Sequence, residues 1–218
     1  MGLFSKIKLS EILNSKPVST VFGFDRGTPI DRYYIEKFLK NNSSLIKGDV
    51  LEIAENDYTK KFANGDHTSH ILHFDNSNPK ATLVGDLCKT ETLKQNSMDC
   101  FICTQTYNFI YDFQDAIKGS YFLLKPGGTL LATVACMSPI SKYDADRWGD
   151  FWRFTPQSAQ KAMEGSFIKE NILIEPLGNS AAAALFMKGY ALEEIIKEVE
   201  LDKNDEIYPL IIGIKATK

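Results

Sequence analysis

The chain has 218 residues, of which 44% are apolar and 24% are charged, and this is the composition of an ordinary globular protein. Its formal net charge is −3 and it has no long basic run, which excludes binding to a nucleic-acid backbone through a basic surface. No stretch approaches the ~20 apolar residues that a transmembrane segment needs. We therefore expect a cytoplasmic protein with no transmembrane segment.

The N-terminal residues 1–21 are predicted to be a docking segment. Their apolar side chains could form one face of a short helix: Leu3, Phe4, Ile7, Leu9, Ile12 and Leu13. This face would dock on the rest of the domain or on a partner, and a membrane surface is the alternative. Residues 22–218 are predicted to form a single domain.

Predicted helices and strands alternate in the first two thirds of the chain. Apolar positions at helical spacing predict a helix in "IDRYYIEKFLKNN". Short apolar runs then predict four strands, in "DVLEIA", "SHILHFD", "ATLVGDL" and "MDCFICTQT". A helix in "FQDAIKGSYFLL" and the turn "KPGG" lead to a fifth strand in "TLLATVA". This alternation is typical of a parallel sheet with helices on both faces.

The last third of the chain has a different pattern. "SPISKYDADRWGDFWRFTP" has no clear period, and a long loop in a compact domain is usually functional. It is followed by a predicted helix, strand, helix and strand, in "PQSAQKAMEGSF", "NILIEPLG", "SAAAALFMKGYALEEII" and "YPLIIGIKATK". The two late strands indicate an antiparallel end to the sheet. The predicted fold class is an α/β doubly wound domain.

Two patterns resemble metal or disulfide motifs, but their strand context argues against both. Cys100 and Cys103 lie three apart on a predicted strand, where they would point to opposite faces. The same argument applies to His70 and His73 in the H-x-x-H-x-x-H spacing that begins at His67. We therefore predict buried thiols and no metal site.

Polar residues follow the first four strands. In open α/β sheets, ligands bind beyond the carboxyl ends of the strands. Glu52 and the loop after it, Asp75, Asp86, and Thr104 with Gln105 are therefore candidate ligand-binding residues. The carboxylates are suited to ribose hydroxyls, an adenine amino group or a cation, although turn formation would explain each one separately.

The order "VLEIA", "HFD", "GDL", "DCFICTQTYNFIYDFQDAI", "LLKPGGTLLATV" resembles the class I S-adenosylmethionine-dependent methyltransferases. The resemblance covers residues 22–217 and implies a Rossmann-like methyltransferase sheet, mostly parallel with an antiparallel C-terminal strand. It implies S-adenosyl-L-methionine as cofactor, with Asp75 at the ribose, Asp86 and Leu87 beside the adenine, and Thr104 and Gln105 at the methionine end. A narrower likeness, in "FGFDRGTPIDRYYIEKFL", "NPKATLVGDL" and "DRWGDFWRFTP", is to a bacterial subgroup associated with surface glycan assembly.

The first motif departs from the family pattern, in which an acidic residue and an apolar residue precede Gly-x-Gly-x-Gly. Glu52 fits, but Ala54, Asn56 and Tyr58 occupy the glycine positions, where glycine permits positive φ and close approach of a ligand. We predict that Glu52, Ala54 and Asn56 still contribute to cofactor binding. The ring of Tyr58 must leave the pocket or become part of its wall.

Candidate acceptor-binding residues lie in two charged and aromatic segments, "GTPIDRYYIE" and "SKYDADRWGDFWRF". Aromatic side chains beside charges suit a sugar or another polyhydroxylated small molecule, although they could equally fasten the loop to the domain. The predicted binding residues are Arg26, Arg32, Tyr33, Tyr143, Arg147, Trp148 and Arg153. Asp146 and Asp31 are the candidate general bases.

The sequence thus predicts an enzyme that transfers a methyl group to an oxygen or nitrogen of a small acceptor such as a surface-glycan sugar. One alternative is a non-catalytic methyltransferase-like module that binds a partner or regulates another enzyme, which the missing glycines would favour. A second alternative is a nicotinamide-dependent oxidoreductase. It is disfavoured because a pyrophosphate makes stricter demands on loop glycines than a methylsulfonium cofactor does.

Overall fold

The computed structural model describes residues 8–218 and contains one seven-stranded sheet. The strand order is β3-β2-β1-β4-β5-β7-β6. Strands β1 to β5 run parallel, whereas β7 is antiparallel to both of its neighbours. The strands are β1 Gly48–Ile53, β2 His67–His73, β3 Leu83–Val84, β4 Met98–Thr104, β5 Leu124–Ala135, β6 Ile172–Leu177 and β7 Ile211–Thr217.

Eight α-helices are present among residues 8–218. They are α1 Leu9–Leu13, α2 Ile30–Asn41, α3 Asp57–Phe62, α4 Phe113–Leu123, α5 Lys142–Ala145, α6 Pro156–Glu164, α7 Ser180–Lys188 and α8 Leu192–Ile195. In this described range, no helix has the length and apolar character required to cross a bilayer. The predicted fold class is confirmed.

The sheet is covered on both faces, and each face has its own apolar core. Helices α4 and α6 contribute to one core, and α2 and α7 contribute to the other. Cys103 belongs to the first core and Cys100 to the second, so the two thiols lie on opposite sides of β4, as predicted. Strands buried on both faces explain the nearly continuous apolar runs in the sequence.

Two predicted elements differ from the structure. The third strand was predicted over residues 81–87 but forms ladder pairs only at Leu83 and Val84. Beyond them the backbone N–H of Asp86 donates to the side chain of Thr92 instead of a neighbouring strand. The single helix predicted over 180–196 is two helices, because Gly189 ends α7 in the left-handed conformation, with φ of 80°.

The described part of the N-terminal segment, residues 8–21, lies against α7 and the residues that follow it. Val18 N–H donates to the Lys188 carbonyl, and the Tyr190 hydroxyl donates to Glu11. Among the predicted docking residues, Leu3, Phe4 and Ile7 and the side chain of Leu9 fall outside the described part. Ile12 packs against the core that contains α2 and α7.

Candidate active site

Two adjoining cavities open at the carboxyl edge of the sheet, where β1 and β4 are neighbours and the strand order reverses. The apolar cavity has a volume of about 480 Å³ and is lined by Leu72, Phe74, Leu87, Ile110 and Trp148, among others. The polar cavity has a volume of about 350 Å³, and its walls include Asp31, Arg32, Tyr58, Asn108 and Asp150. The two share Ile53, Gln105, Phe109 and Asp144.

The loop after β1 reaches both cavities, and one residue in it adopts a glycine-like conformation. Ala54 has φ of 63°, in the left-handed region, and lines the apolar cavity. Its backbone is held by a bond from its N–H to the Leu72 carbonyl (3.0 Å) and by Asn78 Nδ2, which donates to its carbonyl (2.7 Å). Alanine has the smallest side chain that can replace glycine there.

The other two glycine positions do not need a left-handed backbone. Asn56 has φ of −132°, and its side chain donates to Ser69 Oγ rather than lining either cavity. Tyr58 lies in the first turn of α3. Its ring stacks on Phe62 with a centroid distance of 6.3 Å and forms part of the wall of the polar cavity. The apolar cavity therefore remains open beside a loop without glycines.

Glu52 stabilises this loop. Its buried carboxylate accepts hydrogen bonds from Tyr58 N (3.2 Å), Thr59 N (2.9 Å) and Thr59 Oγ1 (2.9 Å), which are groups at the start of α3. Burial raises the pKa of Glu52 above its ordinary value, while the bonds from Thr59 oppose that rise. A carboxylate at a helix N-terminus also interacts favourably with the helix dipole.

Of the residues predicted to bind the cofactor after β2 and β3, those after β3 line a cavity and the one after β2 does not. Asp86 and Leu87 line the apolar cavity. Asp75 lines neither cavity, because its carboxylate accepts from Ser77 N and lies 3.0 Å from His73 Nδ1. These interactions, led by the hydrogen bonds from Ser77, lower the pKa of Asp75. His73 and Phe74 line the apolar cavity in its place.

Thr104 and Gln105, at the end of β4, are both brought to the polar cavity. Gln105 also lines the apolar cavity and has φ of 49°. Its backbone N–H donates to the Thr133 carbonyl (2.7 Å), and its side-chain Nε2 donates to Thr133 Oγ1 (3.3 Å). Neighbouring strand β5 therefore positions Gln105 at the junction of the two cavities.

Of the two candidate bases, only Asp31 reaches a cavity. It lies in the first turn of α2 on the wall of the polar cavity, and burial raises its pKa to about 6. Asp146 follows α5, is exposed and lines neither cavity. Asp144, two residues before Asp146, lines both cavities and was not among the residues predicted from the sequence. A short helix turns these neighbouring carboxylates in different directions.

Of the candidate acceptor-binding residues before and within α2, one lines a cavity and two do not. Arg32 lines the polar cavity, with its guanidinium 5.8 Å from the centroid of the Tyr58 ring. Arg26 is directed away from both cavities and forms an ion pair with Glu194. Tyr33 also lies outside them, and its hydroxyl donates to Asp202 (2.6 Å).

The segment between β5 and α6 forms the outer wall of both cavities. Arg153 lines the polar cavity, but its donors are used by Asp150 and by the carbonyls of Ser138, Pro139 and Trp152. Burial alone would raise the pKa of Asp150, yet Arg153 and the Ser141 N–H hold it below the ordinary value. Arg153 therefore fastens the segment in addition to lining the cavity.

Two further residues of this segment belong to the apolar cavity rather than the polar one. Trp148 and Arg147 line the apolar cavity. Trp148 is held by a bond from Nε1 to Asp144 Oδ1 (2.9 Å), and its ring meets that of Phe74 edge-on at 6.5 Å. Tyr143 lines neither cavity and lies under the Arg147 guanidinium, 3.5 Å away.

The three histidines each have separate local partners. His67 interacts with the Gly65 carbonyl, His70 with Asp49 and His73 with Asp75. Within residues 8–218, no group of three His, Cys, Asp or Glu side chains is placed to hold a metal ion.

The strand order, the antiparallel β7 and the cavities at the β1–β4 switch point define the Rossmann-like fold of the class I methyltransferases. Residues 45–132, from the end of the α2–β1 connection into β5, match the family described as "Methyltransferase domain". This stretch of the chain therefore resembles that domain family, and the fold as a whole is that of the class I S-adenosylmethionine-dependent methyltransferases. No curated protein matches it.

Solved structures agree on the fold. An S-adenosylmethionine-dependent methyltransferase from Mesorhizobium loti is similar, with a TM-score of 0.58 and 15% identity, over 87% of this chain and 100% of that chain. The [4+2]-cyclase SpnF has a TM-score of 0.58 and 14% identity, over 96% and 92% of the two chains.

The phosphoethanolamine N-methyltransferase 2 of Haemonchus contortus, in complex with S-adenosyl-L-methionine, has a TM-score of 0.55 and 16% identity. The match covers 85% of this chain and 52% of that one, so this chain spans about half the length of that enzyme. The predicted cofactor, S-adenosyl-L-methionine, agrees with the matched domain family and with this complex.

Proposed function

We propose that this protein is a cytoplasmic enzyme that transfers a methyl group from S-adenosyl-L-methionine to an oxygen or nitrogen of a small polar acceptor, such as a sugar of a surface glycan. The observation that supports it is the junction of an apolar and a polar cavity at Ile53, Gln105, Phe109 and Asp144. Methyl transfer requires the methyl group of the cofactor and the acceptor atom to lie next to each other. A junction between a cavity suited to a nucleoside and a cavity suited to a polar acceptor meets this requirement.

The residues of the apolar cavity fit the adenosine part of the cofactor. Leu72, Leu87, Phe74 and Trp148 offer apolar and aromatic surface for a base, and Asp86 offers an acceptor at the edge. Gln105 and Asp144, at the junction, are placed for the methionine end. When bound there, the sulfonium cofactor supplies an electrophilic methyl group.

The residues of the polar cavity support an acceptor with several hydroxyl or amino groups. Asp31, Thr104 and Gln105 are polar groups on its walls, and Tyr58 and Phe24 add aromatic surface of the kind on which a sugar ring packs. We assign Asp31 as the general base, because a pKa of about 6 leaves it ionised yet basic near neutral pH.

The test is calorimetric titration of the purified protein with S-adenosylmethionine and S-adenosylhomocysteine, with NAD as the control ligand. We expect both sulfur ligands to bind at micromolar concentration and NAD to give no heat. Saturation by NAD alone would support an oxidoreductase. Absence of binding by any of the three ligands would contradict the enzyme and favour a non-catalytic module.

A further inference from the structure

We propose that the acceptor is an amine that enters the polar cavity as a cation, such as the ammonium group of an amino sugar. This inference rests on the proposed methyl transfer and narrows its acceptor to one chemical class. Two independent features of the polar cavity support it: the excess of negative charge on its walls and the aromatic faces beside that charge.

The described residues that line the polar cavity include six carboxylates and two guanidinium groups, so negative groups exceed positive ones by four. The excess is two when Lys80 and Lys60, which pair with Glu55 and Asp57 from outside the lining, are included. The carboxylates are Asp31, Glu52, Glu55, Asp57, Asp144 and Asp150, and the guanidinium groups are Arg32 and Arg153. A cleft lined by one sign of charge raises the local concentration of ligands of the opposite sign. A phosphorylated or uronic-acid acceptor would meet repulsion here.

The two guanidinium groups offer little to an anionic acceptor beside six carboxylates, and only that of Arg32 has donors free of the bonds described here. Arg153 is occupied by Asp150 and by three backbone carbonyls. Arg32 lies against the ring of Tyr58. Asp31 forms no ion pair within 4 Å and accepts no side-chain hydrogen bond among residues 8–218. Its carboxylate accepts backbone hydrogen bonds from its own N–H and from that of Arg32, and it retains further acceptor capacity for a ligand in the cavity.

Aromatic side chains give the cavity a second means of recognising a cation. Phe22, Phe24, Tyr58 and Phe109 contribute to the same walls as the carboxylates. The faces of aromatic rings attract ammonium groups through their quadrupole, and this attraction strengthens when the cation is desolvated. A neutral sugar would use the rings but would not form the ion pair with Asp31 that an ammonium group forms.

Asp31 also supplies the proton transfer that an amine acceptor requires. The ammonium form has no lone pair, so it first gives a proton to the Asp31 carboxylate, whose pKa of about 6 makes it a stronger base than an ordinary aspartate. The nitrogen lone pair then forms the new N–C bond while the C–S bond of the sulfonium breaks and its electron pair stays on sulfur. The N-methylammonium product leaves, and Asp31 returns its proton to water.

The experiment measures ligand binding to the protein saturated with S-adenosylhomocysteine, by calorimetry. The probes are two matched sets: glucosamine, glucose and glucuronate, and ethanolamine with ethylene glycol. We expect the amines to bind about tenfold more tightly than their neutral partners, and glucuronate to bind more weakly than glucose. Asp31→Asn should weaken amine binding about tenfold and leave glucose and S-adenosylhomocysteine unaffected.

The matched control is Asp66→Asn, which removes an exposed carboxylate outside the cavity and should change none of these affinities. Equal binding of amine and neutral probes, preferential binding of glucuronate, or no binding of either amine would each overturn the proposal. Failure of S-adenosylhomocysteine itself to bind would instead contradict the proposed methyl transfer, so the two failures are distinguishable.

Discussion

At the scale of single residues, the loop after β1 shows that the glycine motif places three different demands on the backbone. Only Ala54 has a positive φ; Asn56 has φ of −132°, and Tyr58 is helical. A non-glycine residue in the left-handed region is strained by contact of its Cβ with the backbone. The loop therefore retains the shape of the motif at a local cost to stability.

Ala54→Gly should relieve this strain and raise the free energy of unfolding by ~1 kcal/mol. Urea denaturation monitored by tryptophan fluorescence would measure the change. The control is Ala63→Gly in the residue after α3, where φ is −58° and glycine should lower stability by ~0.5–1 kcal/mol. Equal effects of the two substitutions would contradict the assignment of strain to Ala54.

We expect the Trp148 ring to contribute more to cofactor binding than the Asp75 carboxylate, because only Trp148 lines the apolar cavity. Trp148→Ala removes a ring that lines the cavity and should weaken S-adenosylhomocysteine binding about tenfold. Asp75→Ala should change the affinity by less than about twofold, because the Asp75 carboxylate is bound to Ser77 outside the cavity. Calorimetry would measure both affinities. A larger loss for Asp75→Ala than for Trp148→Ala would place Asp75 at the ribose, as the resemblance implies.

Asp31 should couple stability to pH. Its folded-state pKa of about 6 lies above its ordinary value of 3.8, so it stabilises the fold fully when protonated and loses this contribution as pH rises through about 6. Asp31→Asn should therefore be ~2 kcal/mol more stable than the parent at pH ~7.5 and show little gain at pH ~4. Urea denaturation at the two pH values would test this, and a gain that is independent of pH would contradict the shifted pKa.

At the scale of secondary-structure elements, the α7–α8 junction shows how one glycine divides a continuous helical pattern. Gly189 has φ of 80°, and a Cβ added there would lie 2.3 Å from the carbonyl oxygen of Ser19. The turn therefore serves two purposes: it ends α7, and it admits the N-terminal segment against the end of that helix.

Gly189→Ala should lower the free energy of unfolding by ~3 kcal/mol or more, because it adds both left-handed strain and a clash with Ser19. Gly65→Ala is the matched control. Gly65 also has positive φ, of 104°, but nothing lies within 4 Å of the added Cβ, so only the ~1–2 kcal/mol of conformational strain should appear. Equal losses in urea denaturation would contradict the packing role of Gly189.

At the scale of the whole molecule, contacts distant in sequence join the segment before α2 to α7 and α8. Arg26 pairs with Glu194, Thr28 binds Glu193, and Tyr190 binds Glu11. The same segment contributes Phe22 and Phe24 to the polar cavity. Residues 11–28 thus contact residues 190–194 beside the site, although the ion pair itself lies outside it.

Arg26→Ala should consequently lower the stability of the protein without changing its affinity for the cofactor product. We expect a loss of ~0.5–1 kcal/mol in the free energy of unfolding, since the ion pair is partly exposed, and no change in S-adenosylhomocysteine affinity. Thermal unfolding and calorimetry on the same preparation would measure both. A loss of acceptor or cofactor binding at unchanged stability would show that Arg26 contacts a ligand, as the sequence predicted.

The sequence by itself determined the α/β class, the order of the strands along the chain, the antiparallel end of the sheet and the opposed Cys100 and Cys103. These properties follow from the period of apolar residues, which is local information. It also located Asp86, Leu87 and Gln105 at the carboxyl edge of the sheet, where they line the cavities, because the end of a strand locates a residue in the sheet.

Only the tertiary structure decided where side chains point beyond those strand ends. Asp75 and Asp86 occupy equivalent places in the sequence pattern, yet one is turned outward by Ser77 and the other lines a cavity. Asp144 and Asp146 differ by a fraction of a helical turn, and Arg26 and Arg32 differ in the partners available in space. Such choices depend on hydrogen bonds and ion pairs between distant segments, which no local pattern records.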